Sequence, residues 1–340
     1  MSNVTLKAAV PHLSITLTML LITLLIGVVL HLGSGSVNID VDSIQQGLNA
    51  QQSLVLWELR VPRLLLVMVV GAGLAVSGVV LQAMFRNPLA EPGLIGVSSS
   101  AALGAVFVIV LGSFFWQEIH FWQLGIVAFM SAGLTTLFIY SLATHFGKTD
   151  VALMLLAGVA INAVAGAATQ LLISVSDDSQ LRSVTFWMMG SFANVDWYAV
   201  MVVTMLTLII SLLFWRLAKP LNAFMLGENI CMHMGYDPAK IKWQVMWGSA
   251  LMVGVAVATV GVIGFVGLVV PHIVRLATGS DHRRLIPLSA LAGAVLLVFA
   301  DWIAKTLIAP SELPIGLLMA LLGGPFFLIM LLQQRKGWVS

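Results

Sequence analysis

Gly147-Lys148-Thr149 has the ending of a phosphate-binding loop, the one stretch whose residue types look made for nucleotide chemistry. Such a loop cradles phosphate oxygens with backbone N–H groups and a lysine, and it needs a second glycine at position 142. The chain has Leu142 there, so no ATP site follows. Seven histidines form no HxxxH pair and no HExxH motif, which leaves zinc hydrolysis without a ligand set; each reads as a surface or interface histidine. Cys231 stands alone, forms no internal disulfide and reads as a small filler side chain. No Ser-His-Asp or Cys-His constellation can be assigned either. No catalytic residue, metal site or resident cofactor is therefore expected. The charged residues suit recognition instead. Arg60 and Arg63 are three apart, on one face if their segment is helical, and Lys305 is a third cation in a similar setting. These three either snorkel beside Glu58 and Asp301 or form a docking site for an acidic partner.

The elements that must position these residues are mostly membrane spans. With 60% hydrophobic and 9% charged residues, the chain has too little polar surface to cover a soluble globule of its size. Apolar runs of about 18 to 23 residues fit helices crossing a ~30 Å core, whereas a membrane barrel would alternate in segments of about 10. Ten spans are expected, at about 13–32, 62–83, 94–112, 122–143, 151–173, 198–215, 243–263, 265–278, 286–307 and 315–333. The first, preceded by Lys7 and followed by Gly33-Ser34-Gly35-Ser36, exceeds the apolar core of a signal peptide and is read as a span. Most Lys and Arg then fall on one side, and Asp40, Asp42, Glu58, Glu118, Asp177, Asp178, Asp196, Asp301 and Glu312 on the other. By the positive-inside rule the basic side, with both termini, is cytoplasmic. Net charge +2 is small and scattered, so nucleic acid is not an expected partner.

Residues 216–242 are the longest polar interruption. They cannot cross the bilayer, because each charge at its centre costs roughly 2.5 to 3.5 kcal/mol on insertion scales. Pro220 and Pro238 bracket two short apolar faces, Leu221, Phe224 and Met225, then Met232 and Met234, so two short cytoplasmic helices are expected there. The opposite segments 37–60 and 174–197 carry apolar residues at helical spacing, such as Ile44, Leu48, Leu54 and Leu56, and should also hold short helices. Small residues along the spans, Gly71, Gly73, Ser77 and Gly78 among them, allow close helix approach in lipid. The loop at 85–96 reads as a tight reversal in which Arg86 pairs with Glu91, and 261–268 as a close-packed bend before Pro271.

Several stretches together resemble the iron-chelate and vitamin B12 permease family of bacterial ABC importers, the membrane subunits of type II import systems. They are LRVPR at 59–63, GAGLAVSGVVLQAMFRNPLAEPGLIGVSSSA at 71–101, LLAGVA at 155–160, FWMMGSF at 186–192, LGE at 226–228 with Gly235, GFVGLVVPHIVRLATGSDHRRLIP at 264–287 and ELPIG at 312–316. The resemblance covers nearly the whole chain, as a single permease domain over 1–340. It implies an all-α polytopic protein of the type II ABC importer permease fold, ten transmembrane helices with short extramembrane helices, in the bacterial inner membrane. It also implies a homodimer around a central path, with two cytoplasmic ATPase subunits that carry the ATP and Mg and one periplasmic binding protein.

By the same resemblance, Leu226, Gly227, Glu228 and Gly235 belong to paired coupling helices that follow the ATPase, and Arg60, Arg63 and Lys305 receive acidic residues of the binding protein. Asn87 and Leu89, with Val151 and Ala152, narrow the cytoplasmic exit. Asn162, Thr169, Gln170, Arg182, Met188 and Met189 line a path of low stickiness, in which Arg182 either pairs with Asp177 or Asp178 or meets an anionic substrate. The segment DDSQLRSVTFWMMGSF at 177–192 looks most like haem permeases, with ferric siderophores and cobalamin as alternatives. An ion-coupled secondary transporter is the rival of another class. Such proteins carry ionisable groups near the bilayer midplane, where this chain has almost none.

Overall fold

The computed structural model describes residues 13–35, 37, 45, 47–116, 121–145 and 148–337. Its helices are Leu13–Gly33 (α1), Ala50–Phe85 (α2), Val97–Leu111 (α3), Phe121–Ala143 (α4), Val151–Ser174 (α5), Asp178–Met188 (α6), Trp197–Arg216 (α7), Ala218–Met225 (α8), Glu228–His233 (α9), Pro238–Val260 (α10), Val266–Thr278 (α11), His282–Thr306 (α12) and Ile315–Gly337 (α13). Two short antiparallel strands, Thr144–His145 (β1) and Lys148–Thr149 (β2), close the α4–α5 connection. Eight of the helices are long and apolar enough to cross a membrane, and shorter apolar helices stand at 266–278 and 315–330. The eight long helices overlap expected spans, and the two shorter ones fall at the expected 265–278 and 315–333.

The ends differ where capping residues extend a helix. Asp237 accepts from Ala239 and Lys240 N–H, and Pro238 at the first helical position starts α10 five residues before the apolar run. Asp281 does the same for α12 through Arg283 N–H. The expected short helix within 37–60 merges into α2 through a π-helical stretch at Val55–Arg60, and Asn49 with Gln52 forms a capping box at its start. Ile44 lies outside the described residues. In 174–197 the short helix is α6, opened by a capping box of Asp177 and Gln180.

Helix α2 is the axis of the bundle, packed on α7, α10, α11 and α12. Its glycines explain the closeness. A Cβ at Gly71 would overlap the carbonyl of Gly293 in α12, and one at Gly78 would overlap that of Gly267 in α11. Backbones thus touch without side chains between them, which in lipid replaces the missing hydrophobic drive with van der Waals contact. Two interior prolines free carbonyls that neighbouring helices then satisfy. Pro271 leaves Gly267 O open, and Gln82 Nε2 of α2 donates to it at 3.2 Å. Pro287 leaves Arg283 O open, and Trp215 Nε1 donates at 3.3 Å. By contrast α5 turns outward a stripe that includes Leu156, Val159, Val164 and Leu171, each more than half exposed.

Candidate functional site

At one end of the bundle, α8 and α9 form an elbow. Gly227 (φ 129°) and Gly235 (φ 84°) occupy left-handed backbone at its two corners, where a side chain would be strained. Leu221, Phe224 and Cys231 are buried against the spans, while Leu226, Ile230, Met232 and Met234 are exposed at the tip. Such an apolar surface outside the spans is suited to a protein partner. The elbow is latched to the α11–α12 corner by Asn222, whose Nδ2 donates to Asp281 Oδ1 at 2.7 Å and whose Oδ1 accepts from His282 N–H at 3.0 Å. Burial pushes the Asp281 carboxyl up, but the hydrogen bonds from Asn222 and Arg283 outweigh it and hold the group below its usual value. Glu228, first residue of α9, accepts from Lys242 Nζ at 2.8 Å.

Beside the elbow stand the two segments that hold Asn87 with Leu89 and Val151 with Ala152. Arg86 takes a left-handed conformation (φ 48°) to end α2, and Asn87 Oδ1 accepts from Leu89 N–H at 2.9 Å, which fixes the turn. Arg86 does not pair with Glu91. Its guanidinium instead lies 4.9 Å from the centre of the Phe224 ring, and Glu91 accepts from Phe265 N–H while burial raises its carboxyl above the usual value. Val151 and Ala152 open α5, where Asp150 accepts from Ala152 N–H (2.8 Å) and Leu153 N–H (3.2 Å). Leu142 is helical and Thr149 lies in β2, so this stretch has strand pairing where a phosphate loop would have free N–H groups.

Of the expected path residues, Gln170, Arg182, Met188 and Met189 are exposed. Thr169 is not: it is 4% exposed, with its hydroxyl on Ala165 O. Asn162 is half-buried and ties α5 to the 92–96 turn, donating to Gly93 O at 3.0 Å and accepting from Ser99 Oγ. Among the described residues Arg182 makes no ion pair; Asp177 Oδ1 caps α6 instead, accepting from Ser179 and Gln180 N–H and from Ser179 Oγ. The Gln180 N–H is the leading cause that holds the Asp177 carboxyl below its usual range. Next to α6 lies a cavity of about 600 Å³ lined by Phe186, Trp187, Asn194, Thr259 and Glu312, among others.

At the opposite end, two of the expected docking cations, Arg63 and Lys305, belong to a charge network, and Arg60 stands beside it on backbone carbonyls. Arg63 Nε and Nη2 clasp Asp301 at 2.8 and 2.9 Å, and Nη1 reaches Glu312 at 2.8 Å. Asp301, 1% exposed, also accepts from His31 Nε2 at 2.8 Å. Lys305 Nζ donates to His31 O and faces Nδ1 at 3.4 Å, and Arg60 donates to Leu32 O and Val37 O. None of the three pairs with Glu58. His31, fully buried, and His282, 2% exposed, correct the expectation that each histidine stands at a surface or interface. A sequence clue was available for His31, a histidine inside an otherwise apolar run. For Lys242, Asn222 and Gln82 the partners are distant in sequence and no local signal marks them.

Residues 21–333 match the FecCD transport family. The hemin transport system permease protein HmuU of Yersinia pestis is 42% identical over 317 residues, 92% of this chain and 95% of that protein. The vitamin B12 import system permease protein BtuC of Citrobacter koseri is 42% identical over 289 residues, 85% and 86% of the two chains. A solved transporter assigned to the metal-chelate ABC type, in an inward-facing conformation, superposes with a TM-score of 0.84 at 32% identity, covering 94% of this chain and 99% of that one.

Proposed function

Since the chain belongs to the FecCD transport family and is a multi-pass inner-membrane permease subunit of an ABC importer for a metal chelate, we propose that its cargo is haem, moved from periplasm to cytoplasm. The whole chain acts as one permease unit in a homodimer, with ATP and Mg on two separate ATPase subunits. These meet the exposed tip of α8 and α9, including Leu226, on the cytoplasmic side, where both termini also lie. A periplasmic binding protein docks at the Arg60, Arg63 and Lys305 end. Asn87, Leu89, Val151 and Ala152 form the cytoplasmic gate between these two ends.

The observation that carries the haem reading is the face of α6. Arg182, free of Asp177 and Asp178, stands one turn before exposed Phe186, with Met188 and Met189 beyond. Haem is a flat apolar ring with two carboxylates; this strip offers apolar, polarisable contact and one cation without a closed pocket. Gln170 and Asn162 add weak polar contacts along α5, whereas Thr169 faces the interior and takes no part. The match to HmuU also extends over more of the chain than the match to BtuC. Against the secondary-transporter reading, the buried ion network stands at the ends of α1 and α12 and not midway along them. The test is reconstitution with ATPase subunits and binding proteins for haem, a ferric siderophore and cobalamin in turn. Haem uptake is expected; import of either other ligand with haem left outside would replace the cargo and keep the permease.

A further inference from the structure

Lys242 stands near the start of α10 with only 3% of its surface exposed. A buried ammonium is tolerated where it is fully partnered. Nζ donates to the Thr149 carbonyl at 2.7 Å and to the Glu228 carboxylate at 2.8 Å, and it lies 5.9 Å from the centre of the Phe224 ring. These three partners belong to three different elements. Glu228 opens α9, Phe224 belongs to α8, and Thr149 ends β2 directly before the Asp150 cap of α5, the helix that begins with Val151 and Ala152. Phe224, itself fully buried, also carries the guanidinium of Arg86, the residue before Asn87. One ammonium and one ring therefore join both short helices to both proposed gate segments.

We infer that Lys242 is the positioning residue that passes displacement of α8 and α9 to the gate, directly to the start of α5 and through Phe224 and Arg86 to the Asn87–Leu89 turn. This rests on the reading of α8 and α9 as the elements that contact the ATPase. The contact to Thr149 is made to main chain, so a shift of Glu228 pulls on the backbone that leads into α5. The bond to a carboxylate is charge-assisted and roughly twice as strong as a neutral one. A methionine at 242 fills the same space but transmits neither contact.

The test uses the full complex, permease with ATPase subunits and haem-loaded binding protein, in proteoliposomes, and reads haem imported per ATP hydrolysed beside ATPase co-purification. With Lys242→Met, the ATPase subunits should stay bound and hydrolyse ATP while import per ATP falls at least tenfold. Lys242→Arg, which keeps the charge and donors, should restore most of it. Should the methionine variant not assemble, Glu228→Gln, which spares the Thr149 contact, should lower import per ATP by a smaller factor of about three. An assembled variant of either kind with unchanged import per ATP overturns the inference. Failure of the underlying reading looks different. Met232→Asp with Met234→Asp, on the exposed tip, should release the ATPase subunits; full co-purification would overturn the assignment of α8 and α9 whatever Lys242→Met does.

Discussion

Replacing Asp301 by leucine should be among the most destabilising single changes outside the apolar core. Its carboxylate accepts three hydrogen bonds within 2.8 to 2.9 Å, from His31 Nε2 and from Arg63 Nε and Nη2, at a site 1% exposed. Leucine keeps the branched shape and the number of side-chain heavy atoms, although its methyl groups are bulkier than carboxylate oxygens and add some crowding. What is lost is the acceptor, and Arg63, 14% exposed, is left holding only Glu312. Breaking a buried pair from one side costs about 3 to 5 kcal/mol, because the other charge stays desolvated. Glu312 softens this through Nη1, which points to the lower end of that range. Glu312→Gln, at a side chain 39% exposed, removes a far better solvated partner and should cost about 1 kcal/mol or less. Combining Asp301→Leu with His31→Leu and Arg63→Met should recover most of the loss, since an apolar replacement of a whole buried network is often neutral. The assay is equilibrium unfolding in mixed micelles, with the three variants compared under one condition. A cost for Asp301→Leu below that of Glu312→Gln would show that the network is not a buried electrostatic clasp.

Three further outcomes follow from the same geometry. Gly235→Pro should abolish ATP-dependent uptake in an assembled dimer, because proline cannot adopt φ 84° and removes the N–H that donates to Met232 O at 2.9 Å; normal uptake would remove the elbow from transmission. Arg60→Glu with Arg63→Glu should weaken binding-protein docking and invert its salt dependence, measured by affinity across a salt series, whereas an unchanged series would take that end out of the docking site. Gly78→Leu should force α2 from α11, costing about 3 kcal/mol or more in unfolding as overpacking without room to relax; a stability within 1 kcal/mol of the parent would contradict the backbone contact with Gly267.

The sequence carried the span pattern, the extramembrane elbow and the glycine seam, because hydropathy, charge sidedness and small-residue spacing are local quantities. Partner choice across the bundle is not local. Arg182 stands near Asp177 and Asp178 in sequence, yet the capping demand of α6 takes the Asp177 carboxylate. Arg86 is five residues from Glu91 but lies on Phe224, since ending α2 in a left-handed turn aims its side chain at α8. Thr169 is expected on the path by resemblance alone, and a helix that is apolar all round gives no moment to say which face is covered. Likewise Lys242 reads as one more charge at a helix start until α9, β2 and α8 converge on it.

On the proposed function the path is passive and a separate ATPase energises it. The most direct measurement places the chain in liposomes with haem-loaded binding protein on the Arg63 side, with and without ATPase subunits and ATP on the α8–α9 side. Haem should accumulate only when both ATPase and ATP are present, with no response to an imposed proton or sodium gradient. Accumulation by the chain alone under such a gradient would contradict the account.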